Sequence, residues 1–446
     1  MSTLSQAEGE ATADPGATGE AVPLVARVTC PHCWFEFPPE QILWVAQHED
    51  LMGDSILKEE PLRFLPTHFN IEGQAIDARG MTCHHLACPN CHLIIPRVLV
   101  ENEVTFISLI GSAGSGKSNF LAAMTWELRR RLARDFAVIF ADGDKEANWL
   151  LNRNEETLFL PEDPDTPIVL EKTHTQGDHY RSIPLRGQDT QLPKPFLFTL
   201  HPGPGHPRVS QRAKVGRIVC LYDNAGEHFG VGQDTASSPV TRHLTRSKVL
   251  MFLMDPTQDP RFRAKLKGIS QDPQVVDPLQ TVRQETILGE AAIRYRRHLG
   301  LSAYKKTDRP LLVLVAKSDI WASLLEAELD AGPDALKEPI IKGATAEGLA
   351  AIDLDRVNRV SRALRALLLD LSPEVVTAAE DFSQEVLYMP VSALGHSPEK
   401  YADRAGLLIK PKDVHPRWVT IPLLYSYAKW SKGLIAASRT KEKPAP

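Results

Sequence analysis

The stretch Val104-Thr-Phe-Ile-Ser-Leu-Ile-Gly111-Ser-Ala-Gly-Ser-Gly116-Lys117-Ser118-Asn-Phe-Leu121 decides how the rest of the chain is read. Its first seven residues are dominated by β-branched and apolar side chains, as in a buried parallel strand. Phe120, Leu121, Met124, Leu128 and Leu132 then recur at helical spacing. Between them, Gly111-Ser112-Ala113-Gly114-Ser115-Gly116-Lys117-Ser118 fits G-x-x-x-x-G-K-S. The glycines let the backbone wrap closely around a polyphosphate, with successive N–H groups turned inward as an anion-binding concavity. Lys117 would reach the terminal phosphates, the Ser118 hydroxyl would ligate Mg²⁺, and the helix N-terminus would face the same anion. Nucleotide contacts are therefore expected from Gly111 through Asn119. The bland alternative is an ordinary glycine turn, and the strand before it and the helix after it count against that.

The 446 residues suffice for two or three domains with a substantial core. A net charge of −5 gives no reason to expect a coat on nucleic acid or anionic membrane. Apolar runs such as Val249–Met254 and Leu311–Ala316 are strand-sized, too short to span a bilayer. The first twenty residues lack the basic start and apolar centre of a secretory signal. Five of the six cysteines fall between Cys30 and Cys91, which suggests a metal site in a reducing compartment rather than a disulfide framework. The expected location is cytoplasmic.

Cys30-Pro31-His32-Cys33 and Cys88-Pro89-Asn90-Cys91 are matching turns, and together their thiolates can close a tetrahedral Zn²⁺ site. The interval between them exceeds the usual ribbon spacing, so a helix (about Pro39–Gln47) and further strands are expected to fill it. Cys83, His84, His85 and His92 are spare donors that could replace a ligand, and four reduced thiols in turns are the alternative to a metal. Four thiolates leave no open position, which makes the expected zinc ribbon structural. Arg27, Arg63, Arg79 and Arg97 are scattered among acidic residues, so nucleic acid is not indicated as its partner.

The expected organisation is a disordered stretch at 1–23, the ribbon at 24–100, an α/β domain at 101–436 and a loose tail at 437–446. A proline-punctuated insertion at about 142–194 reads as an elaborated loop with one helix near Glu146–Asn152. Strands are expected at Phe136–Phe140, Phe196–Leu200, Gly216–Tyr222, Lys248–Met254, Pro310–Val315 and Val386–Val391. Helices are expected at about Pro239–Arg246, Leu279–His298, Ile320–Leu329, Ala344–Leu371 and Thr420–Ala436. Three strand ends carry chemistry: Asp223-Asn224-Ala225-Gly226, Ala316-Lys317-Ser318-Asp319 and Ser392-Ala393-Leu394. Asp223 there can hold Mg²⁺, and Gly226 lets a backbone N–H approach the γ-phosphate. Read locally, the first of these is also a good turn, and Ser318 or Asp319 also suits a helix cap.

In their order, the four motifs resemble those of the Ras-like GTPases of the translation-factor-related class, over most of Glu101–Ala436. The resemblance implies a P-loop GTPase-like, mostly parallel sheet with helices on both faces, preceded by the small ribbon. It implies that Asp223–Gly226 holds Mg²⁺ and senses the γ-phosphate, that Lys317 packs along base and ribose, and that Asp319 accepts from guanine N1 and N2. It also implies that the backbone at Ala393, beside Ser392, donates to guanine O6. Three positions depart from the pattern. Ala316 replaces an asparagine, Ala113 stands where Ras has glycine, and Glu227 stands where Ras has the glutamine that orients water, with His228 as the neighbouring candidate. The long interval between Ser118 and Asp223 leaves the switch threonine to Thr190 as a guess. A ribbon ahead of a loop-extended GTPase also resembles the double-GTPase family of bacterial conflict systems.

The implied function is a GTP-binding and GTP-hydrolysing switch using GTP/GDP, Mg²⁺ and structural Zn²⁺, with its ribbon docking a protein partner such as a second GTPase. Two readings of other classes stand beside it: an ATP-driven P-loop signalling ATPase, and a binding scaffold whose nucleotide is scarcely turned over.

Overall fold

The computed structural model describes residues 24–169, 180–185, 187–223, 241–278, 281–329, 336–400, 407–431 and 433–438. The main sheet has seven strands: β1 (Glu103–Gly111), β2 (Val138–Asp142), β3 (Phe196–Pro202), β4 (Arg217–Asp223), β5 (Val249–Met254), β6 (Leu311–Val315) and β7 (Val386–Pro390). Their order is β2-β3-β4-β1-β5-β6-β7. The five strands from β4 to β7 are mutually parallel, and β3 pairs antiparallel with both β4 and β2. Every residue of β5 and β6 is buried, as expected of central parallel strands covered on both faces. The fold is thus α/β with a mostly parallel sheet.

Helix α1 (Lys117–Phe136) lays Phe120, Leu121, Met124, Leu128 and Leu132 into the main core with Val219 and Leu221 of β4. The alternate residues of β4, Ile218, Cys220 and Tyr222, belong to a second core. That core contains the four knuckle cysteines with Val28, Trp34 and Phe37, and also Phe106 of β1 and Leu197 of β3. Period-two alternation therefore gives one face of the sheet to helices, and gives part of the other to the cysteine-bearing unit. Tyr222 makes the joint. Its hydroxyl accepts from Trp34 Nε1 (3.0 Å) and donates to the Pro31 carbonyl (2.6 Å), while its ring stacks on His243 at 4.6 Å.

Several local expectations yield to tertiary pairing. In place of a helix over Pro39–Gln47 stand a short 3₁₀ turn, Pro39–Gln41, and the strand Leu43–Val45, which pairs with Arg63–Phe64 and Leu86–Ala87. The described residues of the insertion include regular elements beyond the one expected helix. They hold the helix Trp149–Phe159 and the hairpin Tyr180–Leu185/Gln188–Pro193, whose Ile183 and Leu192 enter the second core. Thr190 lies in that hairpin and donates to the Gln188 carbonyl (3.1 Å). Around Pro239–Arg246 the described residues form a 3₁₀ turn, Arg242–Thr245. The helix expected from Ala344 begins only at Leu354, after the strand Ala351–Asp353, because Asp353 caps it by accepting from Arg356 N (2.9 Å). A second helix, Pro373–Phe382, follows it. The last helix, Ile421–Trp430, stops short of Ala436, and Ala436–Ser438 pairs with Ala351–Asp353 instead of beginning a tail. No helix among the described residues is long and apolar enough to cross a membrane.

Candidate functional site

Register aligns the carboxyl ends of the parallel strands. Asp223 is level with Leu109, Leu253 with Gly111, Met254 with Val315 and Val315 with Pro390. The glycine-rich loop, Asp223, Lys317–Asp319 and Ser392–Ala393 therefore share one edge of the sheet, where ligands bind in open α/β folds.

The loop between β1 and α1 is fixed by two glycines for different reasons. A side chain at Gly111 would come within 2.7 Å of the Leu253 carbonyl, so only glycine lets the loop leave the sheet this close to β5. Gly116 sits at φ 90, a left-handed conformation that carries the chain into α1. The Lys117 ammonium is buried and donates to the carbonyls of Gly111 (3.0 Å) and Ser112 (2.8 Å), and Ser115 Oγ donates to the Ser112 carbonyl (2.9 Å). Ser118 and Asn119 occupy the first turn of α1, half-buried, beside the exposed Gly114 and half-buried Ala113. A glycine-loop backbone with a cation folded into it and a helix N-terminus behind it can bind a polyphosphate. Asp223 is buried at the end of β4. A serine hydroxyl and a carboxylate are oxygen donors of the kind Mg²⁺ takes, so Ser118 and Asp223 fit it chemically. Gly226, Glu227 and His228 lie outside the described residues.

At the other end of the edge, Ser392 Oγ donates to Asp319 Oδ1 (2.5 Å), and the Ser318 N–H donates to the Val391 carbonyl (3.0 Å). These bonds join the A-K-S-D and S-A-L stretches directly. Ser318 and Asp319 open the helix Ser318–Leu329. Lys317 adopts a left-handed backbone (φ 56) uncommon outside glycine, and its Nζ donates to Asp255 Oδ2 (2.6 Å) and Thr257 Oγ1 (3.0 Å). Asp255 itself is fully buried. Burial pushes the nearby Asp272 carboxyl above its ordinary range, against the pull of Ser397, the Gln274 N–H and Lys317. The turn Asp255–Gln258 has no counterpart in the sequence expectations. Its signal was a polar D-P-T-Q directly after the apolar run of β5, at the same sheet edge as the four motifs.

The sulfurs of Cys30, Cys33, Cys88 and Cys91 lie within 4.8 Å of one another, with 3.7 Å between Cys30 and Cys91 and between Cys33 and Cys88. Zn–S bonds of about 2.3 Å in a tetrahedron separate the sulfurs by about 3.8 Å, so the set fits Zn²⁺. The two knuckles match in detail. In each, the residue after the second cysteine (Trp34, His92) has positive φ, and its N–H returns to the carbonyl of the first cysteine (3.0 and 2.9 Å). Hydrogen bonds from the other three thiols, and one from Asn90, hold the Cys33 thiol well below the ordinary cysteine range. His92 is turned away, with Nδ1 on Asp54 Oδ2 (2.8 Å), and the buried Cys83 stands outside the cluster. The spare donors Cys83 and His92 are thus structural, and Arg63 is buried with Nε on the His92 carbonyl (3.1 Å).

No protein-family model matches the chain. The Mycolicibacterium smegmatis protein SaeC, whose name proposes ESX-1 scaffolding and assembly, is 25% identical over 353 residues, covering 75% of this chain and 78% of that protein. Among solved structures, the elongation factor SelB from Methanococcus maripaludis, with the GTP analogue GppNHp, aligns at 10% identity over 66% of this chain and 31% of its own, at TM-score 0.19. Sup35 with GDP aligns at 13% identity over 66% of this chain and 38% of its own, at TM-score 0.21. The S. cerevisiae Ski7 GTPase-like domain with GTP aligns at 12% identity over 75% of this chain and 52% of its own, at TM-score 0.24. The chain thus spans between 31% and 52% of these three solved chains. Superpositions this loose leave the fold to rest on strand order and register.

Proposed function

We propose that the chain is a guanine-nucleotide switch, binding and hydrolysing GTP, with a structural zinc ribbon that docks a protein partner. The observation that carries this reading is the bond from Ser392 to Asp319 at the ends of adjacent strands, on the sheet edge that also carries the glycine-rich loop. Such an arrangement puts a carboxylate and a phosphate cradle on the same edge. A carboxylate can accept from the paired donors N1 and N2 of guanine, and adenine lacks that donor pair. Lys117 and the loop N–H groups would take the β- and γ-phosphates, and Lys317 and the Ala393 backbone would flank the base. Ser118 and Asp223 would hold Mg²⁺, which would supply positive charge to offset that of the phosphates. Glu227 and His228 are the candidates for orienting water.

A second reading, a scaffold with little turnover, is favoured by SaeC, whose name concerns scaffolding and assembly. The resemblance to paired GTPases makes a second GTPase the first partner to test. The nucleotide released from the purified chain, followed by equilibrium titration with GTP and ATP, tests the switch reading. Bound GDP or GTP and a GTP preference support it, and an ATP preference overturns it. Single-turnover hydrolysis with and without partner separates switch from scaffold.

A further inference from the structure

The turn after β5 bonds to both halves of the candidate nucleotide site. Asp255 Oδ1 accepts from the Thr257 N–H (3.0 Å) and hydroxyl (2.7 Å), while Oδ2 and Thr257 Oγ1 hold the Lys317 ammonium. From behind, Gln284 clasps the Asp255 backbone, its Oε1 accepting from the N–H (2.7 Å) and its Nε2 donating to the carbonyl (2.8 Å). One residue on, the carboxamide of Gln258 reaches the glycine-rich loop. Its Oε1 accepts from Ser112 Oγ (2.6 Å), and its Nε2 donates to the Ala113 carbonyl (3.0 Å). Asp255, Thr257, Gln258 and Gln284 are all buried.

The Ala113 carbonyl shares a planar trans peptide with the Gly114 N–H, so the two point in opposite directions. Holding the carbonyl against Gln258 turns the Gly114 N–H to the other side, as an anion-binding concavity requires of successive N–H groups. Ala316, the residue after β6, carries only a methyl and so has no side-chain donor for this task. We propose that Gln258 is a positioning residue for the nucleotide site. It fixes the Ala113–Gly114 peptide, and its turn sets Lys317 from the opposite side, so one buried turn registers the phosphate-binding half against the base-binding half. This rests on the nucleotide-binding reading above.

The test uses the full chain and a fluorescent GDP analogue, with affinity, dissociation rate and displacement by GTP and by ATP measured for wild type, Gln258→Met, Gln258→Ala and Ser112→Ala. Methionine keeps the side-chain volume and loses both hydrogen bonds. If Gln258 acts through its donor, Gln258→Met and Gln258→Ala both bind about tenfold or more weakly, through faster dissociation. The GTP-over-ATP preference stays at its wild-type ratio, because Asp255 and Thr257 still hold Lys317. Ser112→Ala, which removes one bond and almost no volume, loses about threefold. If Gln258 only fills space, Gln258→Met binds like wild type and only Gln258→Ala is weak, which overturns the inference. Should the Gln258 variants not fold, wild-type affinity in Ser112→Ala overturns it. A wild-type chain that takes up no nucleotide removes the underlying reading itself, an outcome distinct from the others.

Discussion

A single carboxylate, Asp319, carries the base selectivity proposed here, and its surroundings make it a clean target. Asp319→Asn keeps an oxygen to accept from Ser392 Oγ, so the link between the two motifs survives the substitution. Xanthine presents a carbonyl where guanine presents its 2-amino group, so an amide can donate where a carboxylate can only accept. The variant is expected to lose GTP affinity and gain affinity for xanthosine triphosphate. Facing an unmatched buried acceptor costs on the order of 1–3 kcal/mol, enough to shift the preference about tenfold. Titration of both proteins against GTP, ATP and xanthosine triphosphate checks this, and an unchanged ranking counts against a guanine site. Lys117→Ala deletes the one cation folded inside the glycine-rich loop. Its triphosphate affinity should fall by about ten- to a hundredfold, the worth of a charged hydrogen bond. Wild-type binding by that variant would remove the loop from the site. Ser118→Ala and Asp223→Ala are expected to show their main effect as weakened Mg²⁺ dependence of binding, read by repeating the titration across Mg²⁺ concentrations.

Among elements, β4 packs on both cores. Its Val219 and Leu221 pack under the helices, its Ile218, Cys220 and Tyr222 pack under the knuckles, and it ends at Asp223. The Tyr222 hydroxyl satisfies two buried groups at once, Trp34 Nε1 and the Pro31 carbonyl. Tyr222→Phe keeps the ring stacked on Phe106 and His243 and strands both partners. A stability loss of about 2–4 kcal/mol is expected from thermal or denaturant unfolding. A loss below 1 kcal/mol would mean that Trp34 and Pro31 find other partners. The glycine-rich loop, the knuckles and the strand ends were legible in the sequence because their signals are local: glycine spacing, paired cysteines, apolar runs closed by polar residues. The bonds from Tyr222 to Pro31 and from Gln258 to Ala113 were not legible. They join residues 191 and 145 positions apart, and nothing in either neighbourhood points to the other. The strand Leu43–Val45 was misread for a related reason. Its apolar spacing suits a helix equally well, and only pairing with Arg63–Phe64 and Leu86–Ala87 decides between them.

At the scale of the molecule, the four-cysteine unit and the α/β domain share a core, and this predicts what metal removal does. Were the ribbon a bead on a string, stripping Zn²⁺ would unfold it alone and leave a second, unchanged transition for the rest. Here Phe106 of β1, Leu197 of β3, Ile218 and Tyr222 of β4 and Ile183 and Leu192 of the hairpin are buried against Val28, Trp34, Phe37 and the cysteines. Each of these side chains is worth about 1.5–3 kcal/mol when removed from water, and collapse of the knuckles would expose several at once. Structural zinc sites contribute folding free energy directly, so its loss is felt wherever the packing it supports is felt. Chelation, or Cys88→Ser, is therefore expected to lower the melting temperature of the whole chain in a single shifted transition, by on the order of 10 °C. It is also expected to weaken nucleotide binding, because β4 carries Tyr222 on the ribbon side and Asp223 at the sheet edge in consecutive positions. Differential scanning calorimetry of the metal-loaded and metal-stripped chain, with the nucleotide titration repeated on each, checks both parts. Two separate transitions with the upper one unmoved, together with unchanged affinity, would mean that the shared core does not couple the units, and the ribbon would then be free to act on a partner without reporting to the nucleotide.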